Sequence, residues 1–183
     1  MLLREETCCF TGHRPAKLPW GYDESDPRCV ALKQRMRDAL ECAWQEGFHH
    51  FLCGMAMGCD LYFCEEALAL RQRHPGVTVE AAIPCPTQAD AWPAAVQQRY
   101  HQLVDACDLE TMVSDRYSAS CMVRRDRYMV DRSCLLIAAF DGTPGGTQYT
   151  VQYAMEKGIA VVDLDIEPRP GAAPSQSFYP ELC

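Results

Sequence analysis

The chain has 183 residues, of which 48% are hydrophobic and 23% are charged, and its formal net charge is −8. This composition is typical of one ordinary soluble domain and excludes a wholly disordered, collagenous or coiled-coil protein. No run of about 18 apolar residues occurs, so we expect no membrane span. Because an acidic chain lacks the positive field that non-specific binding to DNA requires, DNA is not an expected partner.

The twelve cysteines do not follow the pattern of a disulfide scaffold. No secretory leader is recognised over residues 1–6, which suggests a reducing, cytoplasmic location. The chain has no CxxC pair, and its nearest metal-like spacing joins His50 to Cys53, which would point to opposite faces of a strand. We therefore expect the cysteines to pack as small apolar side chains, and we expect no metal or other cofactor.

Segments with strand and helix patterns alternate along the chain. The strands are predicted at 7–11, 49–53, 77–83, 109–113, 134–140 and 159–164. The helices are predicted at 30–47, 60–74, 89–106, 118–132 and 147–157. This alternation predicts an α/β fold, Rossmann-like and three-layered, with a mainly parallel central sheet. We assign residues 1–166 to this single domain, and residues 167–183 to an irregular tail rich in Pro, Gly, Ala and Ser.

Polar and glycine residues cluster where the predicted strands end. Gly12, His13 and Arg14 follow the first strand. The segment 54–60 follows the second strand, and 141–147 follows the fifth. Because ligands of open parallel α/β sheets bind at the carboxyl ends of the strands, these segments predict a binding site at that edge. His13 and Arg14 are candidates there for an acid and an anion clamp, or else they cap a turn.

Two glycine-containing loops each join a strand to a helix. Their candidate ligand-binding residues are Gly54, Gly58 and Asp60 in the first loop, and Asp141, Gly142, Gly145, Gly146 and Thr147 in the second. Glycine lets a backbone approach a ligand closely, and a helix N-terminus offers unpaired N–H groups to a phosphate. Neither loop matches a Walker or GxGxxG pattern, so each is either a phosphate cradle or a tight turn. The simplest role for Asp60 is to cap its helix.

The helix predicted at 118–132 carries a carboxylate within its apolar face. At 100° per residue, Asp126 falls in the middle of a face formed by Met122, Val123, Met129 and Val130. Because burying a lone carboxylate is costly, Asp126 is either paired with an arginine inside the protein or lines a site. Arg125, which flanks this face, is then a partner for Asp126 or a clamp for a phosphate or carboxylate at the crevice.

The aromatic residues near the predicted edge have two interpretations. Trp20 and Tyr22 lie in the long first loop, where they either stack on a ligand base or pin the loop to the protein. Trp92 is expected in the core.

Four motifs together resemble the YpsA-like branch of the SLOG superfamily. They are TGHRP at 11–15, GMAMGCD at 54–60, RRDRYMVDRS at 124–133 and FDGTPGGT at 140–147. The resemblance covers 7–165 and implies a Rossmann-like fold that binds a nucleotide-derived ligand such as ADP-ribose. The superfamily also contains the DNA-processing protein DprA and the phosphoribohydrolases called LOG, whereas the YpsA-like branch has no settled activity. Oligomers are common in the superfamily, so a homodimer is expected by resemblance.

The resemblance extends to single positions. GMAMGCD is similar to the glycine-rich segment of DprA, and Arg125 matches an arginine of the LOG enzymes. The glutamate that LOG enzymes carry after their PGGxGT loop falls on Thr150, which removes the group expected to stabilise an oxocarbenium-like centre.

Three functions follow from these observations. The first is a module that binds a nucleotide or nucleotide-derived ligand as a sensor or regulator. The second is an enzyme acting on an N-glycosidic or phosphoester bond, with His13, Asp60 or Asp126 in place of the missing carboxylate. The third is a DprA-like binder of single-stranded DNA, against which the net charge of −8 counts. The sequence favours the first function.

Overall fold

The computed structural model describes residues 2–166, in which six strands and five helices alternate. The strands are β1 (Thr7–Gly12), β2 (His50–Cys53), β3 (Thr78–Ile83), β4 (Leu109–Met112), β5 (Leu135–Ala139) and β6 (Ala160–Asp163). The helices are α1 (Pro27–Gln45), α2 (Cys59–Arg73), α3 (Ala94–Ala106), α4 (Cys121–Asp131) and α5 (Gly146–Glu156). The predicted tail at 167–183 lies outside the described residues.

All six described strands are parallel and form one sheet in the order β4-β3-β2-β1-β5-β6. The chain builds outward from β1 to β4 on one side and then returns to place β5 against the other side of β1. The strand order therefore reverses between β1 and β5, where an open α/β sheet leaves a crevice at the carboxyl ends. The predicted Rossmann-like α/β fold is confirmed.

Helices cover both faces of the sheet. α1, α2 and α3 pack on one face, and α4 and α5 pack on the other. Successive side chains of a strand point to opposite faces of the sheet. Phe10 therefore packs in the core beneath α1, α2 and α3, and its neighbour Cys9 packs in the core beneath α4 and α5. Because the central strands are buried on both faces, their sequences are nearly continuous apolar runs.

Cysteines contribute to both cores. Ten cysteines of the described residues are free thiols, and eight of these are buried, as expected for small apolar side chains. Aromatic packing also follows the predictions in part. Trp20 is buried and pins the first loop, and Trp92 packs against the core with its ring 5.5 Å from that of Tyr100. Tyr22, by contrast, is exposed.

Three helices begin three or more residues away from the position that the sequence predicts. α1 starts at Pro27 rather than residue 30, because the carboxylate of Asp26 accepts the Arg28 N–H and proline suits a first helical position. α3 starts at Ala94 rather than residue 89, with Pro93 as its N-cap instead of inside its first turn. α4 starts at Cys121 rather than residue 118. For α3 and α4, which begin later than predicted, an apolar residue in the preceding turn extends the helical pattern beyond the helix.

Candidate ligand-binding site

A cavity of about 300 Å³ opens at the carboxyl ends of the strands, beside the reversal between β1 and β5. Seven residues predicted from the sequence line it: Gly12, His13, Arg14, Asp60, Arg125, Gly146 and Thr147. They come from β1, the loop after it, α2, α4 and α5, so the fold brings together segments that are far apart in sequence. The remaining predicted residues do not line the cavity themselves: Gly54, Gly58, Asp141, Gly142 and Gly145.

The loop between β2 and α2 is occupied by the protein's own groups. The Arg125 guanidinium donates to the Gly54 carbonyl, and the Ala56 N–H donates to the Asp60 carboxylate at 3.1 Å. The Cys59 N–H, at the start of α2, donates to the carbonyl of His13 at 3.2 Å. Polar groups of this loop are therefore already bound within the protein.

The glycines of the β2–α2 loop are needed for close packing. A Cβ on Gly54 would lie 2.7 Å from Cζ of Arg125 and 2.8 Å from Oδ2 of Asp60. Gly58 has a φ of +96°, and a Cβ there would lie 2.8 Å from Cδ of Pro15. Gly58 is also the N-cap of α2, so the expectation that Asp60 caps this helix is wrong. The Asp60 carboxylate instead holds the loop through the Ala56 N–H.

Arg125 is the centre of a buried charge cluster. Its Nε donates to Oδ1 of Asp126 at 2.8 Å, which confirms the predicted internal Asp–Arg pair. Burial acts to lower the pKa of Arg125, but the carboxylates of Asp126 and Asp60 outweigh it and raise the pKa. For Asp60, burial is the largest influence and raises the pKa to about 6, although Arg125 and the Ala56 N–H act against it. Asp60 can therefore change its protonation near neutral pH.

Asp141 organises the loop between β5 and α5. Its Oδ1 lies 2.6 Å from Nε2 of His13 and accepts hydrogen bonds from the hydroxyl and the N–H of Thr143, at 2.6 and 3.0 Å. Burial acts to raise the pKa of Asp141, but the Thr143 hydroxyl and His13 outweigh it and lower the pKa to about 2. Asp141 is thus ionised, and it fixes both the imidazole and the loop. Gly142, at φ +78°, completes this turn.

The N-terminus of α5 opens into the cavity. Within residues 2–166, the N–H groups of Gly146, Thr147 and Gln148 have no hydrogen-bond partner, and the first intrahelical bond runs from Tyr149 to Gly145. The position that a Cβ on Gly146 would take has no heavy atom within 4 Å. This helix end therefore offers free N–H donors and the positive end of a helix dipole to a ligand.

Two threonines bring further unused polar groups to the same place. Thr11, at the end of β1, and Thr147, in the first turn of α5, line the cavity, and each is more than nine-tenths buried. Neither hydroxyl has a hydrogen-bond partner among the described residues. Both hydroxyls are therefore available to pair with a polar ligand in the cavity.

Two cations border the cavity on the turn that follows β1. Arg14 is exposed, with Nη2 3.9 Å from the sulfur of Met122. Lys17 reaches across to the other side, where Nζ donates to the carbonyl of Pro144 at 2.6 Å. Both positive charges therefore border the cavity into which the N-terminus of α5 opens. Sequence reasoning missed Lys17, although a lysine three residues after Arg14 in a chain with few lysines was a usable signal.

Five other lining residues were absent from the predicted site: Thr11, Ala16, Ala56, Met122 and Asp126. Of these, Asp126 was recognised as a carboxylate that needs a partner, and the apolar ones carry no signal in the sequence. No group of three or more His, Cys, Asp or Glu side chains in residues 2–166 is placed to hold a metal ion. Within the same residues, every helix is too short or too polar to cross a membrane.

Solved structures with a similar fold include two DNA-processing proteins. DprA of Streptococcus pneumoniae superposes with a TM-score of 0.58 at 18% identity, over 88% of this chain and 51% of that chain. DprA of Helicobacter pylori, studied for its binding of single-stranded DNA, superposes with a TM-score of 0.57 at 14% identity, over 86% and 64% of the two chains. At these identities the likeness shows the fold alone, and the chain spans less than two thirds of either protein.

Sequence comparison finds relatives of uncharacterised function. A UPF0398 protein of Halalkalibacterium halodurans is 25% identical over 129 residues, which cover 69% of this chain and 68% of that protein. The SPbeta prophage-derived protein YoqJ of Bacillus subtilis is 26% identical over 142 residues, covering 70% and 83% of the two chains. The family model described as YspA SLOG family matches residues 8–163. The chain therefore belongs to the YspA SLOG family.

Proposed function

We propose that this protein binds a nucleotide or nucleotide-derived ligand, such as a nucleoside phosphate or an ADP-ribose-like molecule, as a sensor or regulatory module. The observation that carries the proposal is the open N-terminus of α5, whose unpaired N–H groups face a cavity at the reversal of the strand order. A phosphate is the common biological group that matches such a site. Arg14 and Lys17 supply the positive charge that a phosphate requires.

The opposite side of the cavity favours a ligand that also carries hydroxyls. Asp60 and Asp126 line the cavity, where the Ala56 N–H donates to Asp60 and Arg125 pairs with Asp126. Carboxylates accept hydrogen bonds from sugar hydroxyls in dinucleotide-binding folds of this kind. An inorganic anion would leave these carboxylates unused, whereas a phosphorylated sugar would engage both sides.

A thermal-shift screen with mass spectrometry tests the proposal. The ligands are AMP, ADP, ATP, GMP, NAD, ADP-ribose and ribose 5-phosphate. A ligand at 100 times its Kd adds about 2.7 kcal/mol to the free energy of unfolding, which raises the Tm by roughly 5 to 10 °C in a domain of this size. A shift with intact ligand supports a sensor. Absence of any shift across the screen contradicts the proposal.

A variant pair ties any binding to the N-terminus of α5. Gly146→Val places its side chain in the open space of the cavity and should abolish the shift without unfolding the protein. Gln148→Val places a valine in the same turn at a position that does not line the cavity, and this variant should bind normally. Equal binding by the two variants means that the phosphate lies elsewhere.

An enzyme acting on an N-glycosidic or phosphoester bond is the second candidate. It is favoured by Asp60, a cavity-lining carboxyl whose pKa burial raises to about 6, as in a general acid. Against this function, Thr150 lies at the position where the LOG enzymes carry a glutamate. Its hydroxyl donates to the Gly146 carbonyl at 2.9 Å within the helix. Cleavage products in the mass spectra would decide for the enzyme.

Single-stranded DNA binding remains a separate question. The fold shared with DprA counts against our expectation that DNA is not a partner. The net charge of −8 supports that expectation. Retention of a labelled oligonucleotide at several salt concentrations tests whether the protein binds DNA, because phosphate contacts give binding a steep salt dependence. The cytoplasmic location and the homodimer also remain predictions, and size-exclusion chromatography with light scattering tests the second.

A further inference from the structure

Two cysteines meet on the face of the sheet that α1, α2 and α3 cover. Cys64 lies in α2 and Cys107 directly follows α3, and their sulfurs are 3.7 Å apart. Cys64 is buried, whereas Cys107 is partly exposed. The ligand cavity does not include either residue. The pair therefore combines a partly exposed cysteine with a buried cysteine whose sulfur lies next to it.

Arg71 holds the backbone around Cys107 against the helix that carries Cys64. Its guanidinium donates to the carbonyl of Ala106 at 2.9 Å and pairs with the carboxylate of Asp108 at 2.9 Å. Asp108 in turn accepts the N–H of Val79 in β3 at 2.8 Å. Residues on both sides of Cys107 are thus anchored to α2 and β3, which keeps the backbone of Cys107 close to Cys64.

We propose that Cys64 and Cys107 form a reversible oxidation site, which a peroxide closes to a disulfide that ties α2 to the end of α3. In the first step the Cys107 thiolate attacks the peroxide, which gives a sulfenic acid and releases water or alcohol. The Cys64 thiol then displaces the sulfenic oxygen as water and forms the S–S bond. With hydrogen peroxide, two thiols and one peroxide give one disulfide and two waters. A thiol reductant reverses the change.

Closure requires little movement. A disulfide has an S–S distance of about 2.05 Å, so the sulfurs must approach by roughly 1.7 Å. Cys107 has extended backbone angles outside the helix, which leaves its side chain freer to rotate than a residue within α3. No partner segment has to unfold for the bond to form.

The rate of closure depends on pH in a defined direction. The hydrogen bond to Cys64 and burial both raise the pKa of the Cys107 thiol. Because the thiolate is the nucleophile, oxidation is slow at neutral pH and accelerates as the pH rises. The site therefore responds to a sustained or strong oxidant rather than to trace peroxide.

A second thiol pair in the same chain is a built-in control. Cys85, after β3, and Cys121, at the start of α4, have sulfurs 3.9 Å apart, but both side chains are fully buried. Sulfur separation is nearly equal in the two pairs, whereas access to solvent differs. Exposure of Cys107 thus predicts oxidation of the first pair before the second.

The test uses the full chain at pH 7 and pH 9 with hydrogen peroxide. Remaining thiols are then alkylated under denaturing conditions, and peptides are analysed by mass spectrometry. We expect a peptide in which Cys64 is joined to Cys107, formed on the order of 100-fold faster at pH 9, because the thiolate fraction rises about tenfold per pH unit, and lost after dithiothreitol. A cross-link across 43 positions should also raise the Tm by several degrees.

Two variants make the result specific. Cys107→Ser should abolish the cross-link and the rise in Tm, whereas Cys121→Ser, in the buried pair, should retain both. A Cys85–Cys121 link that forms first contradicts the proposal. So does over-oxidation of Cys107 without a cross-link, or a folded protein in which both thiols stay fully alkylatable at pH 9.

Discussion

The two glycine-containing loops at the edge of the sheet look alike in sequence but differ in what fills them. In the β2–α2 loop, Arg125, Asp60 and the His13 carbonyl occupy the polar groups and the space that glycine leaves. In the β5–α5 loop, Gly146 faces open space and the first N–H groups of the helix are unpaired. Glycine therefore allows close packing in one loop and leaves open space in the other. A glycine pattern alone does not distinguish these uses.

Replacing Arg125 should have the largest effect, because this side chain fills the β2–α2 loop. Arg125→Ala leaves the Asp126 carboxylate buried without its partner and the Gly54 carbonyl without its donor. Breaking a buried pair in this way costs about 3–5 kcal/mol. Chemical denaturation followed by circular dichroism measures the loss. Arg124→Ala, at an exposed position of the same helix, should change stability by less than about 0.5 kcal/mol.

Equal stability of the two arginine variants would show that the β2–α2 loop does not depend on Arg125. The same variants also address ligand binding. If a ligand from the screen binds Arg125→Ala with unchanged affinity, Arg125 is only a structural residue and not a clamp.

A matched pair of alanine substitutions compares the two loops directly. Gly54→Ala places a methyl group against Arg125 and Asp60, and such overpacking costs about 1–3 kcal/mol. Gly146→Ala meets no heavy atom within 4 Å and sits in a helix, where alanine is favoured over glycine. We expect a clear loss of Tm for the first variant and none for the second. Similar losses for both would mean that the β5–α5 loop is packed as tightly as the other.

How far the sequence predicts this site depends on the kind of residue. The alternation of elements and the position of strand ends place Gly12, His13 and Gly146 at one edge, because parallel strands leave no other arrangement. The pairing of Asp126 is also predictable, since a carboxylate in an apolar stripe needs a partner. What fills each loop is not predictable from local sequence. Arg125 and Gly54 are 71 positions apart, and only the packed fold brings them together.

The aspartates of the two loops should respond to pH in opposite directions. Asp141 has a pKa lowered from 3.8 to about 2, so its contribution is present above pH 3.8 and is lost as the pH falls towards 2. Asp60 has a pKa raised from 3.8 to about 6, so its contribution is present below pH 3.8 and is lost as the pH rises towards 6. Urea unfolding from pH 2 to 7 measures both effects.

Asparagine variants assign each pH effect to its loop. Asp141→Asn should remove part of the acid-induced loss of stability between pH 4 and 2, and Asp60→Asn part of the loss between pH 4 and 6. The wild-type protein is the reference for both. An unchanged stability profile for Asp60→Asn would contradict the raised pKa that makes this residue a candidate general acid.

Lys17 should give the smallest effect and the finest test of the open loop. Its Nζ donates only to the Pro144 carbonyl among the described residues and is exposed, so Lys17→Ala should leave the Tm nearly unchanged. If the unpaired N–H groups of α5 hold a phosphate, removing this nearby charge weakens binding a few-fold and reduces its dependence on salt. Titration of the tightest ligand at two ionic strengths measures both. Lys157→Ala, just beyond the other end of α5, should bind like wild type. Unchanged affinity for Lys17→Ala, with binding still abolished by Gly146→Val, would mean that backbone N–H groups select the ligand without help from this cation.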